Sequence, residues 1–294
     1  MPELPDLTIY LEHLNRCIGG ECLEGIRLGS PFVLRTVEPA VDELVGRRVE
    51  GIERLAKQIV IALEDERFIV IHLMISGRLH WKQRGVGIPK RNGLAAFDFE
   101  SGTLTFTEAS KKKRASIRLV RGREALAEYD PGGLEVMTAS LEEFSTALAQ
   151  HNHTLKRALT DQHILAGIGN AYSDEILLRA QLSPFKHVKS LDEEELRRLW
   201  EACRATLENW IGILRDRAGN RFPEKVTAFH PEMAVHGKYR EPCPVCASPV
   251  QRIVYAENEA NYCARCQTGG RVLADRSLSK LLKAGWPKRI EELE

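Results

Sequence analysis

Apolar residues recur at Leu7, Leu11, Leu14 and Ile18 between Pro5 and the Gly19-Gly20 pair. That is the spacing of one helical face, closed by a glycine stop, and it predicts an amphipathic helix. From residue 21 to 125 the pattern shortens into strand-like runs: Ile59 to Leu63, Phe68 to Leu73, Leu94 to Phe99, Leu104 to Thr107 and Ile117 to Val120, with Ser101-Gly102 as a hairpin turn. Several short strands with turn signals predict a sandwich or barrel. Residues 126–140, containing Pro131-Gly132-Gly133, read as a linker. Helical signals then return. Ser140 with Glu143, and Ser190 with Glu193, have capping-box spacing. Between them, residues 154–162, the Ala166-Gly167-Ile168-Gly169-Asn170 turn and residues 171–180 predict two helices around a glycine-bearing turn. Such glycines let backbone N–H groups approach a phosphate at a helix N-terminus, although capping glycines in a plain helical hairpin look the same.

Composition narrows the class without changing it. The 294 residues are 43% hydrophobic and 28% charged, which describes an ordinary globular protein long enough for two domains. No apolar run approaches a membrane span and no secretory pattern opens the chain, so the expected location is cytoplasmic. The net charge is +1, so nucleic-acid binding has to come from local basic surfaces. Of seven cysteines, Cys17, Cys22 and Cys203 are scattered and read as buried thiols. The other four form Cys243-Pro244-Val245-Cys246 and, sixteen residues on, Cys263-Ala264-Arg265-Cys266. Two such pairs supply four thiolates to one tetrahedral zinc ion and leave no open position, which makes the predicted Zn2+ structural. Residues 273–294, with Leu278, Leu281, Leu282 and Trp286, read as a short helix packed on the body.

The chain starts Met1-Pro2-Glu3-Leu4-Pro5-Asp6-Leu7. Removal of Met1 exposes the secondary amine of Pro2, which can attack a sugar aldehyde carbon and form an iminium ion. Glu3 is the adjacent proton donor or acceptor, and Pro5 suits the first turn of the helix.

Pro2-Glu3, a β-rich first half, Gly-Ile-Gly-Asn in a helical turn and a four-cysteine finger ending Cys266-Gln267 occur together here. In that combination the chain resembles the formamidopyrimidine-DNA glycosylase and endonuclease VIII family of base-excision repair enzymes. The resemblance implies an α+β fold. An N-terminal helix and a two-sheet β-sandwich would occupy 1–130, a helical domain with a helix-two-turn-helix 131–240, the zinc finger 241–270 and an extension 271–294. It implies damaged double-stranded DNA bound between the domains, excision of the base and cleavage at the abasic site, by a monomer without membrane or small-molecule cofactor, at the nucleoid when on DNA. By resemblance Pro2 is the nucleophile, Glu3 the acid at the sugar ring and Lys57 a phosphate contact beside the lesion. Asn170 holds the same phosphate region, and Lys156, a basic residue ahead of its turn, is expected to hold phosphate with them.

Departures from the family pattern are equally specific. Asp6 replaces a glutamate. Asn258, between Glu257 and Glu259, stands where the family has a finger arginine and keeps a donor without the charge. Ile75, after Met74, occupies the position of a methionine wedge. Ser110-Lys111-Lys112-Lys113-Arg114-Ala115 replaces an arginine- and phenylalanine-bearing loop, favouring phosphate contact over base stacking. Ile211-Gly212-Ile213-Leu214-Arg215-Asp216 matches a loop over the extruded base but lacks its hydroxyls, which argues against 8-oxoguanine as the preferred base. Two rivals to the bifunctional glycosylase remain: a damaged-DNA binding module that has lost turnover, and an abasic-site lyase with little glycosylase action.

Overall fold

The structure, a computed structural model, describes residues 1–255, 258–275 and 286–293, with Asn258 described by its backbone alone. The chain divides into two compact units, one formed by residues 1–131 and 210–227, the other by 132–209 and 228–294.

In unit 1 the first helix, α1 (Leu4–Ile18), has Pro5 in its opening turn and turns buried Leu7, Tyr10, Leu14 and Ile18 inward. Two four-stranded antiparallel sheets follow. One has the order β1 (Leu23–Leu28), β6 (Gly93–Phe99), β7 (Thr103–Glu108), β5 (Gly77–Lys82). The other has the order β2 (Val49–Leu55), β3 (Gln58–Leu63), β4 (Arg67–His72), β8 (Ser116–Arg121). Ile59, Ile61, Leu63, Ile69, Ile71, Ile117 and Leu119 meet Leu79, Phe97, Phe99, Leu104 and Phe106 in one core, to which α1 contributes its apolar face. The alternate residues Val60, Ala62, Phe68, Val70 and Val120 form a second cluster, covered by α2 (Arg123–Ala127) and Tyr129. Burial on both faces makes β3 a continuous apolar run.

The three strands of unit 1 absent from the sequence reading, β1, β2 and β5, are all sheet edges. Each carries charged side chains and is mostly half-buried, so its apolar signal is weak.

Unit 2 is built from α3 (Leu141–Ala149), α4 (Leu155–Thr160), α5 (Asn170–Arg179) and the first part of α6 (Glu193–Ala218). The Ser140 hydroxyl accepts the Glu143 N–H at 3.2 Å and the Glu143 carboxylate accepts the Ser140 N–H at 2.8 Å, the expected capping box. The second box is displaced from Ser190/Glu193: Asp192 and Glu195 exchange the reciprocal bonds at 2.8 and 3.1 Å, while Ser190 donates to the His187 carbonyl. An aspartate two residues downstream offers the same acceptor, and spacing alone does not separate them.

A two-stranded hairpin, β9 (Gln251–Tyr255) and β10 (Asn258–Tyr262), and the short α7 (Ala264–Thr268) carry the cysteine block. Leu273 and Ile290 pack with Ile253, Tyr262 and Ala264, so both described parts of the C-terminal stretch lie on the finger. Leu278, Leu281 and Leu282 of the expected tail helix, like Glu257, lie outside the described residues.

Candidate active site and nucleic-acid interface

Strand register assembles the candidate site of unit 1. Ile59 pairs with Ile71, His72 with Ser116 and Gly77 with Glu108. The β2–β3 turn (Ala56-Lys57), the β4–β5 loop (residues 73–76) and the β7–β8 loop (residues 109–115) therefore emerge from the same strand ends. The N-terminus of α1 meets them there. The Met1 amine feels the charges of Glu3, Asp6, Arg78 and Lys57, and burial outweighs the two carboxylates to hold its pKa below the usual α-amine value of 8.0. Pro2 is buried, Glu3 is 3% exposed and Asp6 1%. The Asp6 carboxylate accepts the Glu3 N–H at 2.9 Å, so the shortened acid caps the helix and fixes the peptide next to Pro2. Lys57 is buried in a tight turn whose Ala56 has φ +49°, and the Arg54 guanidinium donates to the Ala56 carbonyl at 2.7 Å. Beside it His72 is pushed down to about 4 by burial and by the charges of Arg118 and Lys57, so it is neutral at physiological pH.

Ile75 is 61% exposed and thus lies outside the core, while Met74 is half-buried with φ +52°. Gly77 closes this loop: its N–H donates to the Leu73 carbonyl at 2.8 Å, and a Cβ there would sit 2.2 Å from that oxygen. The neighbouring loop is tied to it, since the Ser110 N–H donates to the Ser76 hydroxyl at 3.3 Å. Lys111, Lys112, Lys113 and Arg114 are exposed. Sequence reasoning missed what holds them. The Glu108 carboxylate, 1% exposed, accepts the N–H groups of Arg114 and Ala115 at 3.1 and 3.2 Å, and Lys113 donates to the Glu108 carbonyl. Its only sequence signal was an acid at a strand end just before four cations. Arg78, also missed, donates to the Gly77 carbonyl at 2.6 Å and lowers the pKa of the Met1 amine.

Residues 211–216 do not form the loop expected of them; they are interior turns of α6. Ile211, Ile213 and Leu214 supply the helical periodicity, and Arg215 makes a two-pronged ion pair with Glu12 at 2.6 and 3.1 Å. Beyond the helix, Phe222 packs on the rings of Tyr10 and His13, Glu224 pairs with Lys82, and Val226 enters the unit 1 core.

In unit 2, α4 and α5 flank the Gly-Ile-Gly-Asn turn. Gln162 organises it by accepting the Gly167 N–H at 2.9 Å and donating to the carbonyls of Thr160 and Ile168 at 2.9 and 2.8 Å. Gly167 has φ +84°, a conformation that disfavours a side chain. Asn170 opens α5 half-buried. Lys156 is not placed to meet a phosphate directly. It is 1% exposed, and its ammonium donates to the Asn170 carbonyl at 2.6 Å and to Asp174 at 2.5 Å. A buried cation needs a counter-charge, and α5 provides one on the turn facing α4.

The sulfurs of Cys243, Cys246, Cys263 and Cys266 all lie within 4.8 Å of one another, with Cys246–Cys263 at 3.3 Å and Cys243–Cys266 at 3.9 Å. A disulfide needs about 2 Å. Four thiolates about 2.3 Å from a central zinc would stand roughly 3.8 Å apart. The cluster therefore fits one structural zinc. Gln267 braces it by accepting the Cys263 N–H at 2.8 Å and donating to the Leu182 carbonyl at 2.9 Å. The side chain of Asn258 lies outside the described residues; Glu259 faces Arg252 at 3.8 Å.

Fold and site together define a class: a β-sandwich whose loops gather at an N-terminal amine, with helix-two-turn-helix and four-thiolate finger modules. Three family profiles match in the same order: the formamidopyrimidine-DNA glycosylase N-terminal domain over residues 1–126, its H2TH domain over 133–220, and a zinc finger found in FPG and IleRS over 240–269. A formamidopyrimidine-DNA glycosylase of Thermus thermophilus is 32% identical over 277 residues, covering 92% of this chain and all of that protein; its Heliobacterium modesticaldum counterpart is 31% identical over 91% of this chain and all of its own. The crystal structure of MutM (Fpg) from Thermus thermophilus matches with a TM-score of 0.76 at 30% identity, over 90% of this chain and 98% of that one. A Lactococcus lactis Fpg mutant in complex with Fapy-dG-containing DNA shares the fold, with a TM-score of 0.80 at 24% identity over 91% of this chain and all of that one. The chain belongs to the formamidopyrimidine-DNA glycosylase family.

Proposed function

We propose that this protein is a base-excision DNA glycosylase with abasic-site lyase activity, acting on damaged double-stranded DNA through the amine of Pro2 once Met1 is removed. The single observation that supports it most is the setting of the chain's first residues: a buried Pro2, whose preceding Met1 amine has a lowered pKa and feels Glu3, Asp6, Lys57 and Arg78. An amine kept neutral is a nucleophile, and a carboxyl group next to it can pass a proton. In this reading the lesion nucleotide leaves the stack. The Pro2 nitrogen attacks C1′ as the C1′–base bond breaks with its electrons leaving on the base, which takes up the proton that the amine loses. Glu3 then protonates the ring oxygen as the C1′–O4′ bond opens and the nitrogen lone pair forms the iminium. The iminium so formed acidifies C2′, and loss of that proton expels the 3′ phosphate. Lys57 and Asn170 hold phosphates, Lys111, Lys112 and Lys113 bind the backbone nearby, and Ile75 fills space in the stack. Asn258 is assigned a backbone contact without charge. The damaged bases accepted are those that do not need the hydroxyl-rich cover loop, since residues 211–216 are helical.

Borohydride reduction on a duplex with an abasic site tests this. A covalent adduct mapped by mass spectrometry to residue 2, and lost when Met1 is retained, is the expected result. An adduct at a lysine, or equal trapping by Pro2→Gly, would overturn the assignment. Scoring intact damaged bases and pre-formed abasic sites separately distinguishes a bifunctional enzyme from a lyase. Tight binding without scission would select the binding module.

A further inference from the structure

The buried polar network of unit 2 reaches further than the Lys156–Asp174 pair. Asp174 is fully buried, and its second oxygen lies 2.8 Å from His236 Nδ1 and accepts from the Asn261 amide at 3.1 Å. Asn261 sits on β10, 1% exposed, and its amide nitrogen also donates to Glu259 at 3.0 Å. Two carboxylates face that nitrogen, so the amide cannot be flipped without setting oxygen against oxygen. With both amide hydrogens committed, the proton between His236 and Asp174 belongs to His236 Nδ1. The Glu175 carboxylate places that imidazole by accepting the N–H groups of Ala234, Val235 and His236 at 2.8, 2.9 and 3.0 Å. Among the described residues the Asn261 side-chain oxygen is buried without a hydrogen-bond partner. The orientation of the amide is thus set by what its nitrogen does.

We propose that Asn261 is a positioning residue for DNA binding: through Asp174 and Lys156 it sets the Asn170 carbonyl, and with it the first turn of α5. The chain of contacts is continuous. Asn261 and His236 fix one Asp174 oxygen, the other oxygen fixes the Lys156 ammonium, and that ammonium grips the carbonyl of the residue assigned to the phosphate. The finger hairpin thereby acts on the helix-two-turn-helix without itself touching the DNA at this point. The inference rests on the reading of Asn170 as a phosphate contact.

The test is a double-mutant cycle on Asn261→Leu and Asn170→Ala, using the zinc-loaded full chain and a duplex carrying a stable abasic-site analogue. Asn261→Leu is expected to weaken binding about tenfold, to keep one zinc per chain, and to leave the trapping rate at saturating abasic DNA unchanged. In the Asn170→Ala background the same change is expected to have less than a twofold effect, which a merely structural role would not produce. If Asn170→Ala alone binds normally, the phosphate reading fails. If Asn170→Ala weakens binding and Asn261→Leu is silent or fully additive, this inference fails. Should Asn261→Leu lose zinc or fold, His236→Phe removes the other donor to the same Asp174 oxygen, and the same coupling, or its absence, decides.

Discussion

At the scale of single residues, burial decides which groups are reactive and which are structural. Burial, helped by the charges of Arg78 and Lys57, lowers the pKa of the Met1 amine against the pull of Glu3 and Asp6, and removal of Met1 puts the Pro2 nitrogen next to the same groups. Protonated amine is inert, so trapping falls as pH drops through the pKa of the Pro2 amine. Arg78 opposes protonation of the Met1 amine and, being positive, of a Pro2 amine beside it, so Arg78→Ala should move the profile to higher pH; the same profile in wild type and variant from pH 5.5 to 9 would refute that role. Gly77 offers a stability test of the same loop. Its missing Cβ would press on the Leu73 carbonyl, and Gly77→Ala should lower stability by about 1–3 kcal/mol in urea unfolding.

At the scale of elements, short loops are tied to rigid strand ends by single buried acids. Glu108 does this for the basic loop, with two backbone N–H groups on its carboxylate. The exposed Lys111 and Lys112 lie on that tether, so they should contribute electrostatic affinity without affecting the fold. The double variant Lys111→Ala, Lys112→Ala is expected to lower the slope of log affinity against log salt by about 1.8, at roughly 0.9 for each phosphate no longer neutralised. An unchanged slope in titrations between low and moderate salt would mean that the loop faces only solvent. Lys156 shows the opposite outcome: a lysine that reads as a contact in the sequence is an internal brace once α5 supplies Asp174.

At the scale of the whole molecule, α6 contributes to both units, and among the described residues the finger's buried apolar side chains fall in two small clusters, one of them around the cysteines. A closed four-thiolate shell makes zinc binding part of the folding free energy. Removal of the metal by a chelator should therefore lower the melting temperature and make four more thiols reactive to a disulfide reagent. Equal thiol counts before and after chelation would contradict the zinc assignment. Among the described residues no helix is long and apolar enough to cross a membrane.

How much was legible in advance follows from the same physics. Helix α1, the interior strands, the cysteine block and the Gly-Ile-Gly-Asn turn are local patterns: a period, a spacing, a pair of glycines. Strands β1, β2 and β5 escaped because their side chains are half wet, and the second capping box because Ser190 and Asp192 are both acceptors near Glu193. Residues 211–216 misled because a match to a loop carries no information on helical continuation, whereas their apolar spacing did. Taken alone, the sequence determined the fold class, the zinc ligands and the family, because each is written in residues close together along the chain. It took the folded chain to show that Lys156 is buried, that Glu108 and Gln162 hold the two loops, and that Asn261 reaches Asp174. Those facts depend on which side chains meet across long stretches of chain, and desolvation, not residue type, sets what a charge does there.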